Sequence, residues 1–258
     1  QMFSEPGAGS DVASLATRAV RHGDEWVVNG QKVWTSLAHR ARYGLLLTRT
    51  DPDVPKHAGM TYFVLDMRAP GVDVRPLRQM TGEAEFNEVF FDEVRIPDRE
   101  RLGGVNEGWK VATTTLMFER FNTGDEVPRG GGSIAFAVRE WSKRGDTTSP
   151  AARALKDRLV RCWIDAELRR LTNLRAAQAR DHGTPGPEGS VGKLQMANLN
   201  QAIFDLAVDL VGADGMLYPS GYQMVQPDTM GFDRDADPVK ALLRAQANSI
   251  EGGTSDIM

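Results

Sequence analysis

The chain has 258 residues, 41% of them hydrophobic and 26% charged, a globular composition with enough apolar content for one large domain or two of ordinary size. A net charge of -4 argues against a nucleic-acid surface, which would carry an excess of Lys and Arg. The single cysteine, Cys162, excludes an intrachain disulfide or a cysteine-based metal site, the 4 histidines are scattered without ligand spacing, and no apolar run reaches membrane-spanning length.

The chain opens on a loop, Ser4-Glu5-Pro6-Gly7-Ala8-Gly9-Ser10-Asp11. Its glycines let backbone N–H groups and hydroxyls approach a ligand's oxygens closely. It is neither a dinucleotide fingerprint nor a phosphate loop, since it lacks a βαβ setting and a Gly-Lys-Ser. Residues 25–34 carry Asn29-Gly30 between two strand-like runs, which predicts a hairpin. Trp34-Thr35-Ser36 ends the second run. An indole offers a flat apolar face to a planar ring, and a hydroxyl can bond a ring nitrogen. Taken alone, the pair reads as a core tryptophan followed by a turn. Residues 43–48, 60–67, 72–77 and 88–96 are further strands, with Pro55, Pro70, Pro76 and Pro97 at or near their ends. Such spacing predicts an antiparallel sandwich or barrel over residues 1–105.

Beyond residue 105 the apolar period becomes helical. Asn106 is placed to cap a helix through Trp109, Val111, Ala112, Leu116 and Met117. Glu119 follows on the same run as a candidate base. It does not face its neighbour Arg120, because adjacent helical residues diverge. Ser149-Pro150, an N-cap with proline at the first helical position, opens a charged amphipathic run to about residue 179. Residues 183–188 break it. The next helix places Leu199, Ile203, Leu206 and Leu210 on one stripe and ends at 212–215. A last helix is predicted over 238–250. Long helices with short breaks predict an antiparallel four-helix bundle over residues 106–258. Just after it, Glu251 precedes Gly252-Gly253-Thr254-Ser255-Asp256, where glycines can turn the backbone and aim the carboxylate into a cavity.

In this order the segments resemble the acyl-CoA dehydrogenase family. Ser4–Asp11, Asn29–Ser36, Phe90–Pro97, Glu107–Ala112 and Glu251–Asp256 recur there in register, over essentially the whole chain. The resemblance implies an α+β chain comprising the family's central β-domain and C-terminal helical bundle. The family's N-terminal helical domain lies outside it, and the start at Gln1, without an initiator Met, reads as a cut. FAD is the implied cofactor, lying between β-domain and bundle, with no metal. Ser4 matches a hydroxyl that bonds the flavin, Trp34 the tryptophan beside the isoalloxazine, and Ser36 the hydroxyl near N5. Ser10 matches a serine near the diphosphate and thioester, and Thr254 and Asp256 fall where the bundle touches the cofactor. Ser10, Arg120 and Gly252 are the implied substrate contacts.

The implied reaction is α,β-dehydrogenation of an acyl-CoA thioester to the trans-2-enoyl-CoA. Glu251 is the preferred α-proton base, and Glu119 the alternative, since it occupies the position a minority of the family uses; burial in an apolar pocket would raise the base's pKa and basicity together. The implied partners are an electron-transfer flavoprotein and further copies forming a dimer or tetramer through the bundle. The implied setting is fatty-acid β-oxidation in a bacterial cytoplasm. Two rival readings remain: an oxidase of the same fold, and a non-catalytic subunit of a mixed assembly. The sequence also departs from the family. Ser142–Pro150 replaces a common Arg-x-x-Phe-Gly, Asp209–Gly215 replaces Gln-x-x-Gly-Gly-x-Gly, and Gln1 stands where an aromatic is usual. These departures imply that the FAD adenosine end is held differently. They recur in members acting on steroid or other bulky thioesters.

Overall fold

A computed structural model describes residues 1–122, 127–182, 186–218, 223–229 and 237–258, the side chains of 118–122 excepted. The chain divides into two compact units: Gln1–Met117 with Gln223–Gly231, and Phe118–Tyr222 with Phe232–Met258. The composition change near residue 105 precedes the helix α1 (Gly108–Asn122), and the units part inside that helix.

The first unit is a seven-stranded sheet: β1 (Arg18–His22), β2 (Glu25–Ser36), β3 (Tyr43–Arg49), β4 (Met60–Asp66), β5 (Val72–Leu77), β6 (Phe86–Pro97) and β7 (Arg101–Leu102), in the order β5-β6-β2-β1-β3-β4-β7. Every pairing is antiparallel except the single parallel step from β1 to β3 at Arg18 and Arg49. β2 and β4 are not sheet neighbours, yet Trp26 packs on Phe63 with ring centroids 5.4 Å apart. The sheet therefore folds over on itself as a sandwich, filled by Val28, Leu46, Leu65, Val89, Val94 and Ile96.

The hairpin expected at Asn29-Gly30 is not there. β2 runs straight through, and the turn is Gly23-Asp24, where Gly23 takes φ +64 and joins β1 to β2. Gly30 serves close approach instead: a Cβ there would lie 2.7 Å from the Thr17 Cα. Asn29 faces a bulge on β6, receiving the Glu93 N–H at 2.9 Å while Glu93 sits at φ +52. Asn106 does not cap α1 as expected. It has φ +65, its N–H goes to Thr61 Oγ1, and its Oδ1 accepts from the Thr50 hydroxyl.

The second unit contains α2 (Ser133–Ser142), α3 (Pro150–Asp181), α4 (Glu188–Val211) and α5 (Pro238–Ala245). Ser149 caps α3 as expected, Oγ accepting from the Ala152 N–H at 3.1 Å ahead of Pro150. Asp237 caps α5 through the Val239 and Lys240 amides. α3 and α4 are antiparallel: Arg158 pairs with Asp205 and Asp209, and Arg175 with Glu188. The predicted stripe Leu199, Ile203, Leu206 and Leu210 is buried, with Ile134, Phe136 and Ala241 packed against it. Among the described residues no helix is long and apolar enough to cross a membrane.

Candidate active site

The N-terminal loop is held from beneath by a buried ion pair. Glu5 accepts from the Ala16 and Thr17 amides at 2.6 and 2.9 Å and from Lys32 Nζ at 2.8 Å. Lys32, on β2, is completely buried and also donates to the Phe3 carbonyl at 3.0 Å. Burial opposes the Glu5 charge, but Lys32, the Ala16 amide and Thr17 outweigh it and hold the carboxyl below its usual range. Burial takes the Lys32 ammonium down to about 8, with Glu5 opposing. Glu5 also closes a tight turn with Ala8 through paired backbone hydrogen bonds, leaving Ser10 exposed beyond it.

The loop is tied to β2 by the Val33 N–H, which donates to the Ser4 carbonyl at 2.9 Å. The next residue, Trp34, has φ +59. It sits in a bulge: from Lys32 to Thr35 β2 advances three residues while β6 advances two, from Val89 to Asn87. The bulge throws the indole outward, 56% exposed, with its edge against Phe86 at 5.9 Å. Ser36, half-buried, pairs with Phe86 at the start of β6. The structure thus gathers Ser4, Trp34 and Ser36 along one edge of the first unit. Behind them, Thr35 Oγ1 and Asn87 Oδ1 are buried without a hydrogen-bond partner.

A strap unforeseen in the sequence lies beside this edge. Val225 bridges Glu83, exchanging backbone hydrogen bonds with Ala84 and Gly82. His39 lies between the Asn87 side-chain amide at 3.3 Å and the Pro227 carbonyl at 3.0 Å. These partners assign an Nδ1 acceptor and an Nε2–H donor. The first unit also carries a groove of about 440 Å³ lined by Ser14, Ala16, Arg18, Arg49, Pro52 and Lys56.

In the second unit, Glu251 stands among hydrogen-bond donors. Arg244 binds it bidentately, Nη1 to Oε1 and Nη2 to Oε2 at 3.0 Å each, and the Asn248 amide adds a 2.7 Å bond to Oε1. Its side chain is 33% exposed. The backbone then turns through Gly252 (φ +63) and Gly253 (φ +97). Gly252 and Asp256 are exposed and Thr254 half-buried. Glu119 and Arg120 lie on α1, with side chains outside the described residues.

Sequence reasoning missed Lys32, His39, Lys193, Arg244 and Asn248. Lys32 carried a usable signal: strand alternation puts it on the buried face of Val28, where a lysine requires a carboxylate. Lys193, which binds the carbonyls of Asn248 and Gly253 across helices, carried none.

Residues 1–94 match the family description "Acyl-CoA dehydrogenase, middle domain", and residues 106–258 match "Acyl-CoA dehydrogenase, C-terminal domain". Acyl-CoA dehydrogenase FadE34 of Mycobacterium tuberculosis is 44% identical over 84% of this chain and 30% of its own length. Acyl-CoA dehydrogenase IpdE1 of the same organism is 39% identical over 100% of this chain and 63% of its own. Among solved structures, the Tcur3481-Tcur3483 steroid ACAD superposes with a TM-score of 0.83 at 28% identity, covering 99% of this chain and 64% of that one. The ChsE4-ChsE5 complex of Mycobacterium tuberculosis gives 0.78 at 28% identity, with 99% and 65% covered. The chain therefore spans less than two thirds of these relatives.

Proposed function

The chain belongs to the acyl-CoA dehydrogenase family, and from that premise we propose that it provides the β-domain and helical bundle of an FAD-dependent enzyme that oxidises an acyl-CoA thioester between its α and β carbons. The observation that carries this reading is the Val33–Ser4 hydrogen bond, which joins the two flavin-binding motifs beside an outward-turned Trp34. A half-exposed indole held in the left-handed region costs on the order of 1–2 kcal/mol. A planar partner on its face gives that cost a purpose. The residues present fit a flavin: Trp34 for the ring face, Ser36 and Ser4 for its polar edge, with the buried, unpartnered Thr35 hydroxyl behind them. Thr254 and Asp256 are the bundle's proposed contacts. FAD, when bound, supplies the hydride acceptor.

Glu251 is the proposed base. A carboxylate offers about four lone-pair sites. Arg244 and Asn248 occupy both sites on Oε1 and one on Oε2. The site left for the substrate's α-proton is therefore on Oε2. The Arg244 guanidinium and the Asn248 Nδ2 group face the carboxylate as donors, so they orient it without competing for that proton. Ser10 and Gly252 would line the thioester's path, and the groove's Arg18, Arg49 and Lys56 suit the phosphates of CoA.

The kinship with a named steroid ACAD supports a bulky, ring-bearing acyl group over a simple fatty acyl chain. An electron-transfer flavoprotein is the proposed acceptor, and the cytoplasm the proposed setting. Val160, Ile164, Leu168, Leu171 and Leu174 form an exposed apolar stripe along α3, at helical spacing, that suits assembly with further subunits. The test uses the full-length protein under anaerobic conditions, following flavin bleaching with steroid-side-chain and straight-chain thioesters, for parent and Glu251→Gln. Loss of bleaching in the variant is expected, and full bleaching would sink the base assignment.

One observation favours a second reading. The bidentate Arg244 contact is also what a purely structural carboxylate would make. Glu119 would then be the base, and Glu119→Gln, not Glu251→Gln, would abolish bleaching.

A further inference from the structure

The turn carrying Glu251 is gripped from inside the helical unit by one ammonium group. Lys193 on α4 is only 7% exposed. Its Nζ donates to the Asn248 carbonyl at 2.8 Å and to the Gly253 carbonyl. Those carbonyls flank Glu251, three residues before it and two after. Between them the chain turns through two glycines with positive φ. The ammonium thus closes the turn as a staple. Burial pushes the Lys193 pKa below the usual lysine range, opposed by the nearby Glu251 charge. A cation with so little water around it must be matched by protein acceptors, and both of the carbonyls that serve it belong to this turn.

A second tie runs parallel to the first. The Ser133 hydroxyl donates to Asn200 Oδ1 at 2.8 Å, Asn200 Nδ2 to Asn248 Oδ1 at 3.0 Å, and Asn248 Nδ2 to Glu251 Oε1 at 2.7 Å. Each amide presents its oxygen to the residue behind and its nitrogen to the residue ahead. The chain is fully directed and ends on the carboxylate. Asn248 is therefore fixed twice, by its backbone carbonyl on Lys193 and by its side chain on Asn200.

We propose that Lys193 is a positioning residue for Glu251, setting the reach of the carboxylate by stapling the backbone on either side of it. The proposal rests on the reading of Glu251 as the α-proton base. Lys193 acts through carbonyls and needs no contact with the substrate. Its effect falls on the chemical step, because misplacing a reacting group by about 1 Å can cost on the order of 100-fold in rate.

The experiment uses the full-length flavin-loaded protein with Lys193→Met and Glu251→Gln, read by steady-state kinetics and by amide hydrogen exchange. Lys193→Met is expected to lower kcat by roughly 10- to 100-fold with KM within about twofold. Exchange should quicken in residues 246–258 and stay unchanged in the β-sheet. Should Lys193→Met fail to fold, Lys193→Gln, which keeps a donor, carries the same test. An unchanged kcat beside an inactive Glu251→Gln overturns the staple. So does exchange that quickens throughout the protein, which would mark a general loss of stability. Full activity in Glu251→Gln would instead remove the base assignment itself, whatever exchange shows.

Discussion

Lys32 Nζ lies 2.8 Å from Glu5 Oε1, with the lysine side chain wholly excluded from solvent and the glutamate 7% exposed. Neither charge has water to fall back on. Two backbone amides and the Phe3 carbonyl complete their coordination. The pair fastens the Ser4–Asp11 loop to β2.

Removing one partner leaves the other charged and buried, which costs about 3–5 kcal/mol. Lys32→Met should lower stability by that amount, measured by urea unfolding. Adding Glu5→Gln should recover part of it, because the Gln oxygen can still accept from Ala16 or Thr17. A Lys32→Met protein within about 1 kcal/mol of the parent would remove the pair from the list of major stabilising contacts.

Acid should loosen the first unit through Asp98. Arg101 at 3.0 Å and the Trp26 indole N–H at 2.7 Å hold the Asp98 carboxyl at about 2, below its ordinary value of 3.8. A depressed folded-state pKa contributes stability above the unfolded value and loses it as pH falls toward the folded one. The window is therefore pH 3.8 down to about 2. Asp98→Asn should flatten the stability curve there. Parallel curves for variant and parent would contradict the assignment.

Local chemistry was legible in the sequence and distant chemistry was not. Ser149-Pro150 announced α3 because cap and proline act within one turn, and the α4 stripe followed from its period. Asn29-Gly30 misled because the demand for glycine comes from Thr17, a strand away. Asn106 misled because its side chain bonds Thr50, leaving the helix amides alone. The motif residues Ser4, Trp34 and Ser36 were readable as a family signature. The groups that hold Glu251 were hidden, because the carbonyls of a turn leave no mark on the residue that binds them from a distant helix.

The 223–229 strap should be releasable without unfolding the sheet. Its exposed Arg40–Asp228 pair, 60% and 71% exposed, contributes little. The Val225 backbone bonds and His39 do the holding. His39→Ala removes its bond to Asn87 and its one bond to the strap, at the Pro227 carbonyl, the latter a net contribution of about 1 kcal/mol. Amide exchange at 223–229 should then rise about fivefold, with β2 and β6 unchanged. Unaltered exchange would show that Val225 alone fixes the strap.

Trp34 offers a way to separate stability from cofactor binding. Its φ of +59 is costly for any side chain but free for glycine. Trp34→Gly relieves that strain, while the added freedom of the unfolded chain takes back about 0.4–1 kcal/mol. The indole is more than half exposed, so little packing is lost beyond its edge contact with Phe86. The variant should therefore melt within a few degrees of the parent, since about 1 kcal/mol moves a domain of this size by roughly 2–4 °C. Trp34→Ala keeps the strain and loses the ring, so it should be the less stable of the two. If the indole faces the flavin, both should bind less FAD in the full-length protein, and Trp34→Phe should retain more. Full flavin content in Trp34→Gly would mean that the bulge serves the fold alone.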